Sequence, residues 1–142
     1  MKHRDAHTRE DGFTLIEVLV VALIISILAA IALPNFLSEQ KKGYDAAAKT
    51  SARELVSHVE ACYVEKVRYT ACDSPVELNT ILNLAYGNRA GEVEIVGAGE
   101  SSFTVIGHSR SGADFHIVKT DGAAPEHTCS PRDGGCNNDG TW

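Results

Sequence analysis

Residues 12–34 of the chain read GFTLIEVLVVALIISILAAIALP. From Phe13 to Leu33 this stretch has 21 residues, and its polar members are Thr14, Glu17 and Ser26. At ~1.5 Å of rise per residue, an α-helix of this length measures roughly 31 Å, which matches the hydrocarbon core of a bilayer. The sequence therefore predicts one membrane-spanning helix near the N-terminus.

Glu17 is an unusual residue for such a helix. An acidic side chain inside a membrane costs ~2.5–3.5 kcal/mol on insertion scales and normally has a partner, yet the stretch contains no Lys or Arg. If the chain were cut between Gly12 and Phe13, the new α-amine of Phe13 would place a positive charge at the same end of the helix. That amine could pair with Glu17 of its own chain or of a neighbour, and pairing between neighbours would fix their axial stagger.

The order of residues around this cut, GFTLIEVL at positions 12–19, resembles the processing and assembly signature of type IV pilins and of the related type II secretion pseudopilins. The resemblance extends from the leader to about residue 36. It implies cleavage after Gly12 by a membrane prepilin peptidase and N-methylation of Phe13. It also implies that Glu17 and Pro34 are assembly positions.

Three segments follow from this interpretation: a cleaved leader (1–12), a transmembrane and filament-core helix (13–34), and a globular head (35–142) that includes the second half of the long helix. The Lys and Arg residues of the leader place it in the cytoplasm, because orientation follows Lys and Arg more than net charge. A secretory signal peptide is the simpler alternative, but the apolar run is too long for one and contains Glu17. A single-pass anchor is the other alternative.

The composition limits the partners and the size of the head. The 142 residues carry a formal net charge of −6, and acidic side chains also outnumber basic ones after Pro34. Such a surface repels nucleic acid phosphate on average. The head is long enough for one modest hydrophobic core.

Four cysteines lie beyond the membrane segment, at positions 62, 72, 129 and 136. Their even number and predicted export favour two disulfides in an oxidising compartment. Of the three possible connectivities we favour Cys62–Cys72 with Cys129–Cys136, because both bonds close short local loops. A zinc site is the alternative, but these spacings lack the closely spaced cysteine pairs of such sites.

The helix is predicted to continue past the membrane segment. Pro34 lacks an N–H, so we expect a kink or a local opening there, and Gly43 is a second weak point. Apolar residues then recur at spacings of three and four, which predicts a helix to about Val67 with one covered face. That face consists of Tyr44, Ala48, Ala52, Leu55, Val59 and Cys62.

After residue 87 the apolar period changes to two, which predicts strands at residues 92–96, 102–106 and 114–118 and a short fourth strand at about 127–129. Short turns favour an antiparallel meander. Before the strands, Ser74-Pro75-Val76-Glu77 has a capping-box pattern that predicts a short helix from Pro75 to about Leu84. The strand residues expected to face the long helix are Val93, Ile95, Phe103, Val105, Phe115 and Ile117.

The predicted fold class is therefore α+β: a long N-terminal helix packed on a small antiparallel sheet of three to four strands and stapled by disulfides. The turn-rich end of the chain, with Cys129 and Cys136, resembles the disulfide-bounded C-terminal loop of many pilins. Asp133, Asn137 and Asp139 in or beside it have oxygen atoms that calcium uses, although the EF-hand spacing is absent.

No catalytic or nucleotide-binding motif occurs in the sequence, so we predict no enzyme activity and no cofactor. The histidines after the membrane segment are scattered, which favours structural or exposed roles over metal binding.

The function implied by the resemblance is that of a structural subunit of a type IV pilus, held in the cytoplasmic membrane before assembly and extracellular afterwards. Its implied partners are a prepilin peptidase, other copies of the chain in a helical filament, the lipid bilayer, and a membrane-embedded assembly machinery with a separate ATPase. Two alternatives stay open: a type II secretion pseudopilin, and a minor pilin that binds DNA or a surface. For the second, no basic aromatic patch is evident in the sequence.

Overall fold

The computed structural model of the protein describes residues 12–78 and 84–142. Over these residues it contains one long helix, α1 (Leu15–Lys66), a 3₁₀ turn at Tyr69–Ala71 and four strands. The strands are β1 (Val93–Ala98), β2 (Phe103–His108), β3 (Asp114–Lys119) and β4 (Glu126–Ser130). They form one antiparallel sheet in the order β1-β2-β3-β4, which confirms the predicted fold class.

Helix α1 begins two residues later than the apolar stretch and does not open at Pro34. The residues on both sides of Pro34, and Gly43 further along, are all helical. Of the kink or local opening expected at Pro34, the opening does not occur: a proline removes one hydrogen bond from the ladder, and the flanking bonds continue the helix. The Asn35 side-chain amide also donates to the carbonyl of Ile31, at 3.4 Å.

The chain divides into two compact units, Met1–Phe36 and Leu37–Trp142. In the second unit the predicted apolar face of α1 is buried against the sheet, except that Tyr44 is only half-buried. Gly107 in β2 permits the close approach, since a Cβ there would lie 2.5 Å from the carbonyl oxygen of Ala48. The strand residues that fill the core are Val93, Phe103, Val105, Phe115 and Ile117, with Ile95 half-buried at the edge.

The end of α1 is fixed by backbone geometry and by a disulfide. Val67 adopts a left-handed conformation with φ 62° and donates its N–H to the carbonyl of Tyr63 at 2.7 Å, which terminates the helix. The Cys62–Cys72 bond then ties the last turns to the 3₁₀ turn. The second bond joins Cys129 to Cys136, so both pairs are those favoured from the sequence.

The short helix predicted from Pro75 is only begun in the described residues. The Glu77 N–H donates to the Ser74 hydroxyl at 3.4 Å, which is one half of a capping box, and that hydroxyl donates to the Glu77 carboxylate at 3.2 Å. Residues 75–78 nevertheless form a turn and Leu84 a bend. The rest of the predicted helix, residues 79–83, lies outside the described part of the chain.

Candidate functional site

The start of α1 is organised by the two polar residues Thr14 and Glu17. The Glu17 carboxylate accepts hydrogen bonds from the N–H and the hydroxyl of Thr14, both at 2.8 Å. The Glu17 N–H donates in return to the Thr14 hydroxyl, at 3.3 Å. This reciprocal arrangement is a capping box, with Thr14 at the N-cap position and Glu17 three residues later. This capping box was not predicted from the sequence, although a Thr-x-x-Glu pattern before an apolar run is its usual signal.

Glu17 therefore has partners within its own chain before any other molecule approaches. No Lys, Arg or His side chain of the described residues lies within ion-pair distance of its carboxylate. The third polar residue of the apolar stretch, Ser26, donates its hydroxyl to the Ala22 carbonyl at 2.7 Å. Each polar side chain of the stretch is thus bonded locally, which is what a lipid environment requires.

The apolar side chains of this half of α1 have no cover in the structure. The large aliphatic and aromatic residues between Phe13 and Leu37 are all exposed, and Phe13 itself is 88% exposed. In the described residues α1 is the helix long and apolar enough to cross a membrane, by its length and composition. Such a surface is stable only against lipid or against other apolar helices.

The predicted processing pair lies at the exposed end of this helix. Gly12 and Phe13 precede the first helical residue, and a Cβ at Gly12 would have no heavy atom within 4 Å. Phe13 and Glu17 line one shallow groove together with Ile16, Val20 and Val21. The structure therefore brings Gly12, Phe13 and Glu17 to one end of the helix, whereas Pro34 lies several turns further along it.

Two of the residues considered for calcium, Asn137 and Asp139, bond to Thr141. Asp139 accepts from the hydroxyl and N–H of Thr141, at 2.7 and 3.0 Å, and these bonds hold the pKa of Asp139 below its usual range. Asn137 also bonds to Thr141, whereas Asp133 lies beside Asp45 and Gly134. Within the described ranges no three His, Cys, Asp or Glu side chains are placed to hold a metal ion.

Two histidines have charged neighbours that the sequence did not indicate. His108 lies between two carboxylates, with Nδ1 at 2.7 Å from Asp114 and Nε2 at 3.2 Å from Glu94. These contacts link β1, β2 and β3. Burial, with the nearby Arg53 guanidinium, lowers the pKa of His127. Both positions depend on sheet register, which is why the scattered sequence positions gave no signal.

Comparison with known proteins places this helix start in a defined family. A family model described as the prokaryotic N-terminal methylation motif matches residues 7–33. The type IV wide pilus major component PilA4 of Thermus thermophilus is 33% identical over 101 residues, which is 69% of this chain and 73% of that protein. The chain belongs to the type IV pilin family.

A second relative of this pilin is the type IV major pilin protein PilA of Myxococcus xanthus, which is 36% identical over 96 residues. The match covers 65% of this pilin but 44% of the length of the Myxococcus protein. No solved structure was found to match the chain.

Proposed function

We propose that this pilin is a structural subunit of a type IV pilus, processed after Gly12, N-methylated at Phe13 and polymerised through the first half of α1. The observation that carries the proposal is the exposed apolar face of residues 13–37 with one carboxylate, Glu17, near its start. Before assembly this segment is held in the cytoplasmic membrane with the leader in the cytoplasm. After assembly it forms the core of an extracellular filament.

Glu17 changes partner between these two states. In the single chain its carboxylate accepts from Thr14, so the helix can enter lipid without an ion pair. In a packed array of helices, the Phe13 amine of a neighbour offers a bond between two opposite charges, whereas Thr14 contributes only neutral donors. Since that amine reaches the carboxylate at one axial offset only, the exchange selects one register.

The proposed partners follow from this cycle. A prepilin peptidase removes the leader, copies of the chain supply the neighbouring helices, and a membrane-embedded machinery with a separate ATPase drives assembly. The chain contributes structure and no catalysis of its own. Both relatives are named as major pilus components, which supports a pilus subunit over a secretion pseudopilin or a minor, DNA-binding or adhesive pilin.

The charge on Glu17 can be tested separately from its capping role. In Glu17→Gln the amide oxygen still accepts from Thr14, so the helix start is kept while the charge is removed. We expect a processed, membrane-inserted protein that builds few or no filaments. Glu17→Val removes both functions and should insert at least as well as the wild type.

The measurement compares the membrane-bound and sheared fractions of each strain by immunoblot and electron microscopy. Ser26→Ala is the matched control, because it removes an uncharged polar side chain of the same apolar stretch, and its filament yield should equal that of the wild type. A wild-type filament yield for Glu17→Gln would refute pairing through the carboxylate charge.

A further inference from the structure

A buried carboxylate on α1 contacts two separate loops of the head. Asp45 is 1% exposed. Its Oδ1 accepts from the hydroxyl of Ser109 at 2.7 Å and from the hydroxyl of Ser111, both in the turn between β2 and β3. Its Oδ2 accepts from the N–H of Gly135 at 2.8 Å. These three donors compensate for the removal of the carboxylate from water.

Gly135 belongs to the C-terminal disulfide loop, residues 129–136. Its N–H is bound by Asp45, and its carbonyl accepts from Nζ of Lys49, which lies one helical turn later on α1. Residues four apart lie on the same face of a helix. The Asp45–Lys49 pair therefore holds Gly135 through both of its backbone polar groups, which belong to the two peptide groups on either side of its Cα.

Two glycines bring the loop close enough for this contact. A Cβ at Gly135 would lie 2.7 Å from the Cβ of Asp45, and one at Gly134 would lie 2.6 Å from Oδ2 of Asp45. Real Cβ atoms do not approach other atoms so closely without displacement. The Gly134-Gly135 pair is therefore what lets the loop lie directly against α1.

The docked loop buries its own disulfide. Cys129 and Cys136 are each 7% exposed and pack with Ala48, Phe115 and Trp142. Exchange with an external thiol requires a thiolate to reach one of the two sulfurs. We propose that Asp45 is a positioning residue that fastens the disulfide loop to α1 and thereby shields the Cys129–Cys136 bond from external thiols.

The test uses the full chain in detergent micelles, exposed to dithiothreitol and then alkylated at intervals. Mass spectrometry of the peptides gives separate reduction rates for the two disulfides. In Asp45→Asn the amide cannot accept from all three donors, so the loop should open more often and Cys129–Cys136 should be reduced ~10-fold faster or more. The rate at Cys62–Cys72 should stay at the wild-type value.

Cys62–Cys72 is the internal reference, because a general loss of stability would accelerate both reductions. Asp121→Asn, in an exposed turn, is the matched control and should change neither rate. Trp142 is the single tryptophan and lies 5.7 Å from the Phe115 ring. Its emission should therefore shift to the red in Asp45→Asn as the loop opens.

Ser111→Ala keeps the carboxylate and removes one of its donors, so it gives a smaller acceleration at Cys129–Cys136 and decides the question if Asp45→Asn fails to fold. An unchanged rate at Cys129–Cys136 would overturn the proposal. An equal acceleration of both disulfides would do the same, since Asp45 would then be only a general stabilising residue.

Discussion

At the scale of single residues, the contact between α1 and the sheet depends on Gly107. A Cβ at this position would lie 2.5 Å from the backbone carbonyl oxygen of Ala48 and 3.3 Å from the Cβ of Ala52. Because both neighbours are rigid, Gly107→Ala must push the helix away from β2. We expect a loss of ~1–3 kcal/mol in the free energy of unfolding, measured by denaturant titration.

Gly43→Ala is the matched control for this substitution. Gly43 lies in α1, where a Cβ would have no heavy atom within 4 Å, so alanine should stabilise the helix by up to ~1 kcal/mol. If Gly107→Ala lowers the free energy of unfolding and Gly43→Ala raises it, then steric contact at Gly107 decides the result, and the loss of a glycine does not. A neutral Gly107→Ala variant would contradict the close packing of α1 on β2.

How far a residue's role was predictable depended on the distance along the chain to its partners. The partners of Asp45 are 64, 66 and 90 positions away, so no local pattern marks this residue. In the sequence, a buried aspartate of a helix cannot be distinguished from an exposed one. The partner of Glu17 is Thr14, three positions away, so the local Thr-x-x-Glu pattern is sufficient to predict this contact. From the sequence Glu17 was interpreted as an assembly residue alone, so its contact with Thr14 was not predicted.

At the scale of elements, the periodic signals predicted most of the head. The 3.6-residue and two-residue periods are local properties, and they located α1 and the strands to within about two residues. Pairing between neighbouring strands followed from the short turns. At residues 75–78 a helix was predicted and the structure has a turn. An N-cap contact can favour a helical turn, but most helical stability comes from packing.

The end of α1 contains a strained residue that can be improved. Val67 has φ 62°, a conformation that costs a β-branched residue ~1–2 kcal/mol more than it costs asparagine or glycine. Its side chain is 71% exposed, so little packing is lost on substitution. We expect Val67→Asn to raise the free energy of unfolding by ~1 kcal/mol, seen as a higher Tm.

Val64→Asn is the control for this prediction. Val64 is also exposed, at 82%, but it lies within α1, where asparagine is a poorer helix former than most residues and offers no strain relief. Its Tm should stay level or fall. If both substitutions raised the Tm equally, loss of exposed apolar surface would explain the gain, and the strain at Val67 would not.

At the scale of the whole molecule, the two units suit different surroundings. Residues 37–142 bury their own hydrophobic core, so this unit needs no other molecule to cover that core. The first half of α1 satisfies its polar groups but leaves its apolar surface uncovered, and it needs lipid or other copies. Folding of the head and assembly of the filament are therefore separable, and substitutions near Glu17 should affect assembly without changing head stability.

Cleavage after Gly12 is the step that should connect these two states. Until the bond to Phe13 is cut, Phe13 has an amide in place of the α-amine that we propose as the partner of a neighbour's Glu17. A Cβ at Gly12 meets no heavy atom within 4 Å, so Gly12→Val should leave the fold and membrane insertion intact while blocking the peptidase.

We expect Gly12→Val to accumulate in the membrane with residues 1–12 attached and to form no filaments. Intact mass spectrometry of wild-type filaments should show loss of residues 1–12 and one methyl group on Phe13. Glu17→Gln is the matched comparison, because it should be cleaved normally and still fail to assemble, which separates processing from pairing. Filaments built from uncleaved Gly12→Val chains would show that the Phe13 amine is not needed, and the proposed exchange of partners at Glu17 would then be wrong.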